Sequence, residues 1–449
     1  MEAVSLIRAP WREPATVLGA VADETFALAL LSDGTEPRGR WSYVARAPAR
    51  TLVIDPADPA DAFAALAALV GTGGAHDPDG PPFQGGVAGL AAYDLGDRIE
   101  GLGLVRRPGW PDLAVADYPA LLAFDHRKRE VTAVGRGRDA AEAQAQAKGA
   151  LAWLEMAAPD LPDGPLAGPV TADDDAVYER AVAEVVSRIA AGEIFQANIA
   201  RRWRGRLAAG ARPFDLAARL AGRSPAPFAA YLNLGERALV SNSPERFVSV
   251  IADGEARLAE TRPIKGTLPR AADPAEDARL AAALATSEKD RAENLMIVDL
   301  MRNDLARVST PGQVKTPELF AVESFANVHH LVSTVRARLA PGMTAVDLLR
   351  AAFPPGSITG APKVQAMKVI AQLEPPRGPF FGSLFFAGAD GGFDSSVLIR
   401  TVTFERGPGG WAFELRAGAG LVADSDPASE RRETETKASA ILAALGDGG

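Results

Sequence analysis

An α+β fold is what this sequence predicts, because strand-like and helix-like segments follow one another without the βαβ rhythm that a doubly wound parallel sheet requires. Short alternating runs bounded by Gly, Pro and Asp mark strands at Trp41–Ala45, Thr51–Asp55, Ala120–Asp125 and Glu130–Val134. Gly85–Asp94 reads as a strand that needs close backbone approach. The Ala-rich segment Ala140–Ala157 predicts a helix, and the Pro/Asp/Gly stretch Ala158–Pro169 a linker. Beyond it, Val177, Ala181, Val185 and Ile189 recur at helical spacing within Asp173–Ala191. Further helices are predicted over Pro274–Ala285, Ser287–Arg307, Ala345–Ala352, Pro362–Leu373 and Pro427–Leu445. Strands are predicted over Phe228–Asn233, Ala238–Ser241, Arg246–Ile251 and Val397–Phe404. These boundaries divide the chain into an N-terminal region, 1–165, and a second unit, 170–449.

Composition narrows the function classes. With 449 residues, 47% hydrophobic and 23% charged, the chain has ample core for a globular protein. Its 57 acidic and 48 basic residues give a net charge of −9 with no block of one sign, which argues against nucleic acid or an anionic membrane as partner. The longest apolar run, around Ala62–Val70, is too short to span a bilayer, and the N-terminus lacks the pattern of a signal peptide, so the cytoplasm is the expected location. There is no cysteine. A disulfide framework, a thiolate zinc site and a thioester route to glutamine hydrolysis are therefore excluded for this chain. Any ammonia it uses comes from solution or from another polypeptide.

The most informative segment is Glu260–Arg270, because of Lys265 between Pro263 and Gly266. A stiff backbone relieved by glycine aims one side chain, and an amine kept from bulk water becomes a usable nucleophile. Taken alone, the motif fits an exposed lysine in a turn better, and it is the rest of the chain that reverses this. Near the C-terminus, Glu430, Glu433 and Lys437 fall three and four residues apart and so share one helix edge, as they would on a simple solvated helix. Glu293 opens an apolar run on another predicted helix, from which it can complete a carboxylate cluster for Mg²⁺. The loop Phe353–Lys363 brings Gly, Ser and Thr to a helix N-terminus, a seat for a carboxylate or phosphate, although no Walker A pattern is present. Arg416–Gly420 is a second glycine-rich segment, and Arg400, after the apolar Val397–Ile399, is suited to grip a carboxylate.

In combination these segments resemble the chorismate-utilising enzymes, and within them the aminodeoxychorismate synthase branch. The resemblance is dense from about residue 175 to 443 and rests on Ile194–Asn198, Ser243–Phe247, Pro263–Thr267, Glu293–Asp304, Val328–Ser333, Gly356–Lys363, Leu398–Thr401 and the Gly418–Gly420 segment with its acidic helix. It is weaker in the N-terminal third, through Gly39–Tyr43 and Gly85–Asp94. The family fold it implies is a large mixed or antiparallel β-sandwich flanked by helices, with the N-terminal region packed on a chorismate-binding catalytic unit. Relatives that make anthranilate or isochorismate carry a small residue where this chain has Lys265, and those that add water have a lysine where it has Gln196.

The resemblance implies the following roles. Lys265 is the nucleophile at C2 of chorismate and Glu245 the general acid for the departing C4 hydroxyl. Glu293, Glu430 and Glu433 hold Mg²⁺ at the ring carboxylate. Arg400, Gly418 and Gly420 take the enolpyruvyl carboxylate, with Ser357 and Thr359 nearby, while Gln196, His330 and Lys437 complete the substrate site. Ammonia then enters at C4, supplied by a separate glutamine amidotransferase subunit, giving 4-amino-4-deoxychorismate for the 4-aminobenzoate and folate branch. The chain departs from the family pattern at Phe380 and at Phe385–Phe386, where relatives carry tyrosine. It also lacks the Leu-Leu-Glu-Ser element, and Ser224–Tyr231 differs from the usual form, so feedback by tryptophan is not predicted. Two other readings remain, an anthranilate synthase large subunit that carries a lysine and a binding scaffold without catalysis.

Overall fold

The computed structural model describes residues 3–34, 39–71, 73–253, 256–324 and 328–446. Two large antiparallel sheets, of 12 and 10 strands, pack face to face with helices on both outer surfaces. The first sheet runs Ala3–Pro10, Glu130–Gly137, Ala120–Asp125, Trp41–Ala45, Leu28–Leu31, Phe228–Asn233, Arg237–Ser243, Thr401–Gly407, Gly410–Leu421, Gln196–Arg206 and Gly360–Ala361, with Thr171–Ala172 alongside Gln196–Arg206. The second runs Ile264–Pro269, Val328–Leu339, Ala256–Thr261, Arg246–Asp253, Phe393–Val397, Ser383–Gly388, Gly86–Ala91, Leu113–Tyr118 and Arg50–Ile54, with Ser309–Ser324 also on Val328–Leu339. Both sheets take strands from either side of the 158–169 stretch.

Strand periodicity explains the layering. In Ala120–Asp125, Leu121 and Ala123 face the inter-sheet core while Leu122 and Phe124 face the helices outside. Ala230 and Leu232 alternate with Ala229 and Tyr231 in the same way, and Ala88 and Leu90 with Val87 and Ala91 in the second sheet. Strands buried on both faces lose the polar alternation of a half-exposed sheet, which is why they read as near-continuous apolar runs. No helix among the described residues is long and apolar enough to cross a membrane.

Several segments differ from the sequence expectation. Val397–Phe404 is not one strand. Val397 ends a strand of the second sheet, Thr401 begins one in the first, and Arg400 between them has φ of 49°, so the chain changes sheets there. Gly85–Asp94 is a strand only over Gly86–Ala91 and then tightens into a 3₁₀ turn at Tyr93–Leu95. The 158–169 stretch is pinned to the body, since Leu166 and Ala167 donate their amides to the Leu445 carbonyl. Lys265 lies on the strand Ile264–Pro269 instead of in a free turn. That strand bulges between Ile264 and Thr267, where Gly266 at φ of 85° supplies a conformation other residues adopt at a cost.

Candidate active site

The floor of the site is a two-stranded ribbon with unlike faces. Gln196–Arg206 pairs with Gly410–Leu421 in a register that sets Asn198 opposite Gly420 and Ala200 opposite Gly418. On one face Ala197, Ile199, Ala419 and Leu421 pack under the helices Asp175–Ala190 and Lys363–Leu373. The other face presents Gln196, Asn198, Gly418 and Gly420, polar side chains over bare backbone. A Cβ on Gly420 would stand 2.9 Å from Lys265 Nζ and 3.1 Å from Gln196 Nε2, so glycine there leaves room for an amine and an amide to meet. Gln196 is fully buried, and neither its Nε2 nor its Oε1 has a hydrogen-bond partner. Asn198 Oδ1 is buried and unpartnered as well. Buried polar atoms are almost always satisfied, so a run of orphans on one face marks a place where a ligand belongs.

Lys265 reaches this floor from the second sheet. Its Nζ lies 3.9 Å from Glu293 Oε2, on the helix Glu288–Ala306 that Ser287 caps through the Asp290 amide. Burial, aided by the nearby Lys437 ammonium, lowers the Lys265 pKa from its ordinary value, while Glu293 opposes the shift. His330 is placed behind Lys265 by strand pairing, opposite Thr267, whose hydroxyl is 2.8 Å from His330 Nδ1.

Glu245 sits at the break between the strands Arg237–Ser243 and Arg246–Asp253 and is 8% exposed. Ser357, on the short 3₁₀ turn Gly356–Ile358, donates its hydroxyl to Glu245 Oε1 at 2.8 Å. Burial pushes the Glu245 carboxyl up, against the lowering influence of that hydrogen bond and of Lys265 and Lys437. A carboxyl whose pKa is raised by burial and whose orientation is fixed by a hydroxyl donor is suited to act as a general acid. Thr359 is fully buried and donates its hydroxyl to the Pro355 carbonyl at 2.8 Å. Lys437 donates to the Gly418 carbonyl at 2.9 Å and pairs with Glu433 at 2.6 Å, one turn back on the helix Pro427–Gly446.

The three acids assigned to Mg²⁺ are not drawn together. Glu293 faces Lys265, Glu430 accepts the Ser425 hydroxyl at 2.7 Å, and Glu433 holds Lys437. Among the described residues no group of three His, Asp or Glu side chains is close enough to hold a metal ion. Each carboxylate has taken a cationic or hydroxyl partner of its own, and the spacing on one helix edge already allowed that of Glu433 with Lys437. The donor set still fits a hard dication in kind. Burial raises both Glu293 and Glu430, with Glu430 adding to the shift at Glu293 and Glu433 to that at Glu430, and a cation would relieve this repulsion.

Arg400 also stands apart. It lies at the sheet change with an exposed side chain, and among the described residues no hydrogen bond or ion pair ties that side chain to the Lys265 group. Phe380 is buried, with the guanidiniums of Arg107 and Arg416 at 5.3 Å and 5.0 Å from its ring. Phe386 stacks on Phe83 at 4.6 Å in the inter-sheet core, and Phe385 on Phe393 at 5.4 Å. These aromatic positions serve packing.

Comparison with known proteins identifies the family. A family described as chorismate binding enzyme matches residues 29–443. The chain belongs to the chorismate-binding enzymes. This chorismate-binding enzyme is 45% identical over 370 residues to aminodeoxychorismate synthase component 1 of Klebsiella aerogenes, an alignment covering 80% of this chain and 77% of that protein. It is 42% identical over 388 residues to anthranilate synthase component 1 of Streptomyces coelicolor, covering 82% and 74%. Among solved structures it superposes on anthranilate synthase component I from Streptococcus pneumoniae with a TM-score of 0.79 at 28% identity, covering 91% of this chain and 93% of that one. The menaquinone-specific isochorismate synthase of Escherichia coli shares the fold, with a TM-score of 0.74 at 18% identity over 99% of this chain and 95% of that one.

Sequence reasoning missed Asn198 as part of the site, and also Glu374 and Arg377, whose side chains bind the backbone at residues 198, 200 and 358. Asn198 was accessible from the two-residue period it shares with Gln196. The other two pair with each other three residues apart, but the backbone groups they hold at 198, 200 and 358 are remote in sequence.

Proposed function

We propose that this chain aminates chorismate at C4 to 4-amino-4-deoxychorismate, with Lys265 as a covalent nucleophile. The observation that carries the reading is the half-buried Lys265 amine, which stands with the unpartnered Gln196 amide around the bare backbone of Gly420. Aminodeoxychorismate synthase component 1 of Salmonella typhimurium and of Escherichia coli, 43% and 42% identical to this chain, support it further.

The chemistry closes on this chain's own groups. The neutral Lys265 amine bonds to C2 as the C4–O bond breaks, and Glu245 gives its proton to the departing hydroxyl, which leaves as water. Ammonia next bonds to C4, the double bond shifts back, and the C2–N bond breaks to release the Lys265 amine. The Glu245 carboxylate recovers a proton from the new ammonium group, and the site is reset. Gln196 and Asn198 offer amide groups to the reactants on the floor, while Ser357 keeps Glu245 aimed. Glu293, Glu430 and Glu433 would hold Mg²⁺, which when bound supplies positive charge for the ring carboxylate. The chain offers no cysteine for glutamine hydrolysis, and the designation "component 1" in the relatives fits a separate glutamine amidotransferase partner as the source of ammonia. The product then enters 4-aminobenzoate and folate synthesis.

The similarity to anthranilate synthases favours one competitor, amination with loss of pyruvate. Comparing the products of the parent and of Lys265→Ala by mass spectrometry separates the two. The reading requires that the parent form an amine retaining the enolpyruvyl arm and that the variant lose it. The same amine from the variant at an undiminished rate would overturn the nucleophile role.

A further inference from the structure

One buried ion pair joins the floor of the site to the loop above it. Arg377 is 2% exposed and pairs with Glu374 through its Nε, the two residues flanking Pro375 and Pro376 after the helix Lys363–Leu373. Arg377 Nη1 donates to the Ile358 carbonyl at 2.9 Å and Nη2 to the Asn198 carbonyl at 2.6 Å. Glu374 Oε2 accepts the Ala200 amide at 2.8 Å. The guanidinium lies between two aromatic rings, 4.5 Å from the centre of Tyr93 and 4.4 Å from that of Phe381. The floor strand and the loop also touch directly, the Asn198 amide donating to the Thr359 carbonyl at 2.9 Å.

We propose that Arg377, oriented by Glu374, is a positioning residue that fixes the Gln196–Asn198 floor against the loop carrying Ser357 and Thr359. A buried ion pair breaks roughly even against apolar packing as a source of stability, so its value here is geometric. A planar fork reaches two carbonyls and a carboxylate at once, which the tetrahedral ammonium of lysine does not reproduce. Residue 358 is next to Ser357, whose hydroxyl sets the orientation of Glu245, and residue 198 carries a floor amide. Arg377 touches none of the reacting groups on this account and acts through the backbone at both sites.

The inference rests on chorismate as the substrate and not on which amine is formed, so its test measures chorismate consumption at saturating ammonium alongside thermal unfolding. Arg377→Lys keeps the charge opposite Glu374 and loses the fork. The expected result is a folded protein whose kcat falls about tenfold or more while KM changes by less than about threefold. Combined with Ser357→Ala, the loss should be smaller than the product of the two single losses, because part of the Arg377 effect passes through that hydroxyl. A folded Arg377→Lys with kcat within about twofold of the parent, or losses that multiply in the double variant, would overturn the proposal. Should Arg377→Lys not fold, Glu374→Gln, which retains an acceptor for the Ala200 amide, decides the matter by the same two readouts.

Discussion

Replacing Gly420 with alanine separates the chemistry of the site from its stability. The added methyl would stand 2.9 Å from Lys265 Nζ and 3.1 Å from Gln196 Nε2, with no other heavy atom as close. Ordinary non-bonded contact is about 3.5–4.0 Å, so the amine must retreat by roughly 0.6–1.1 Å. Both neighbours are ends of flexible side chains, and the retreat costs the fold little. Gly420 is not among the residues with positive φ, so alanine adopts its backbone without strain and recovers up to about 1 kcal/mol of chain entropy. A displacement near 1 Å at a reacting atom costs about a hundredfold in rate. Gly420→Ala should therefore melt at or above the parent temperature while kcat/KM for chorismate falls about a hundredfold. Steady-state chorismate consumption and thermal unfolding on the same preparation test this. Activity within threefold of the parent would refute the placement of Lys265 over the floor, and unfolding in step with the lost activity would refute the claim that the clash is confined to side-chain ends.

Other expectations follow from the same contacts. Lys265→Ala should reduce C4 amination by roughly three orders of magnitude or more and leave circular dichroism unchanged. Ser357→Ala removes the hydrogen bond that holds the Glu245 pKa down, so the high-pH limb of the kcat profile, where the acid loses its proton, should move to higher pH. Lys363→Met leaves Asp304 without the ammonium at 2.7 Å and should cost about 3–5 kcal/mol in denaturant unfolding. That cost should grow as pH rises, because burial already raises the Asp304 pKa, the unfolded chain gives up the proton first, and the folded state binds more protons across the interval. Treatment with EDTA should abolish turnover and added Mg²⁺ restore it; full activity in EDTA would remove Glu293, Glu430 and Glu433 from the reaction.

What was legible in the sequence was local. The helix Ala345–Ala352 and the strands Ala120–Asp125 and Phe228–Asn233 have the boundaries their patterns predict, since burial of one face repeats at 3.6 or two residues. Lys265 was conspicuous because proline and glycine around a lysine are local features. The passage from one sheet to the other at Leu398–Arg400 was not legible, because an apolar run continues across it and period alone does not report which sheet a strand joins. The carboxylates at 293, 430 and 433 were readable as acids at suitable spacing, and Lys437 as a neighbour of Glu433 on one helix edge, but not Lys265 on Glu293 or Ser425 on Glu430. Arg377 gave no sign, since the carbonyls it holds at 198 and 358 lie well apart from it in sequence.

The ratio of pyruvate released to chorismate consumed, measured on the purified chain with Mg²⁺ and saturating ammonium, tests the central claim most directly. Amination at C4 through Lys265 keeps the enolpyruvyl arm on the ring, so chorismate should disappear with no pyruvate formed. One pyruvate for every chorismate consumed, with anthranilate as the product, would contradict the account and leave Lys265 without its assigned role.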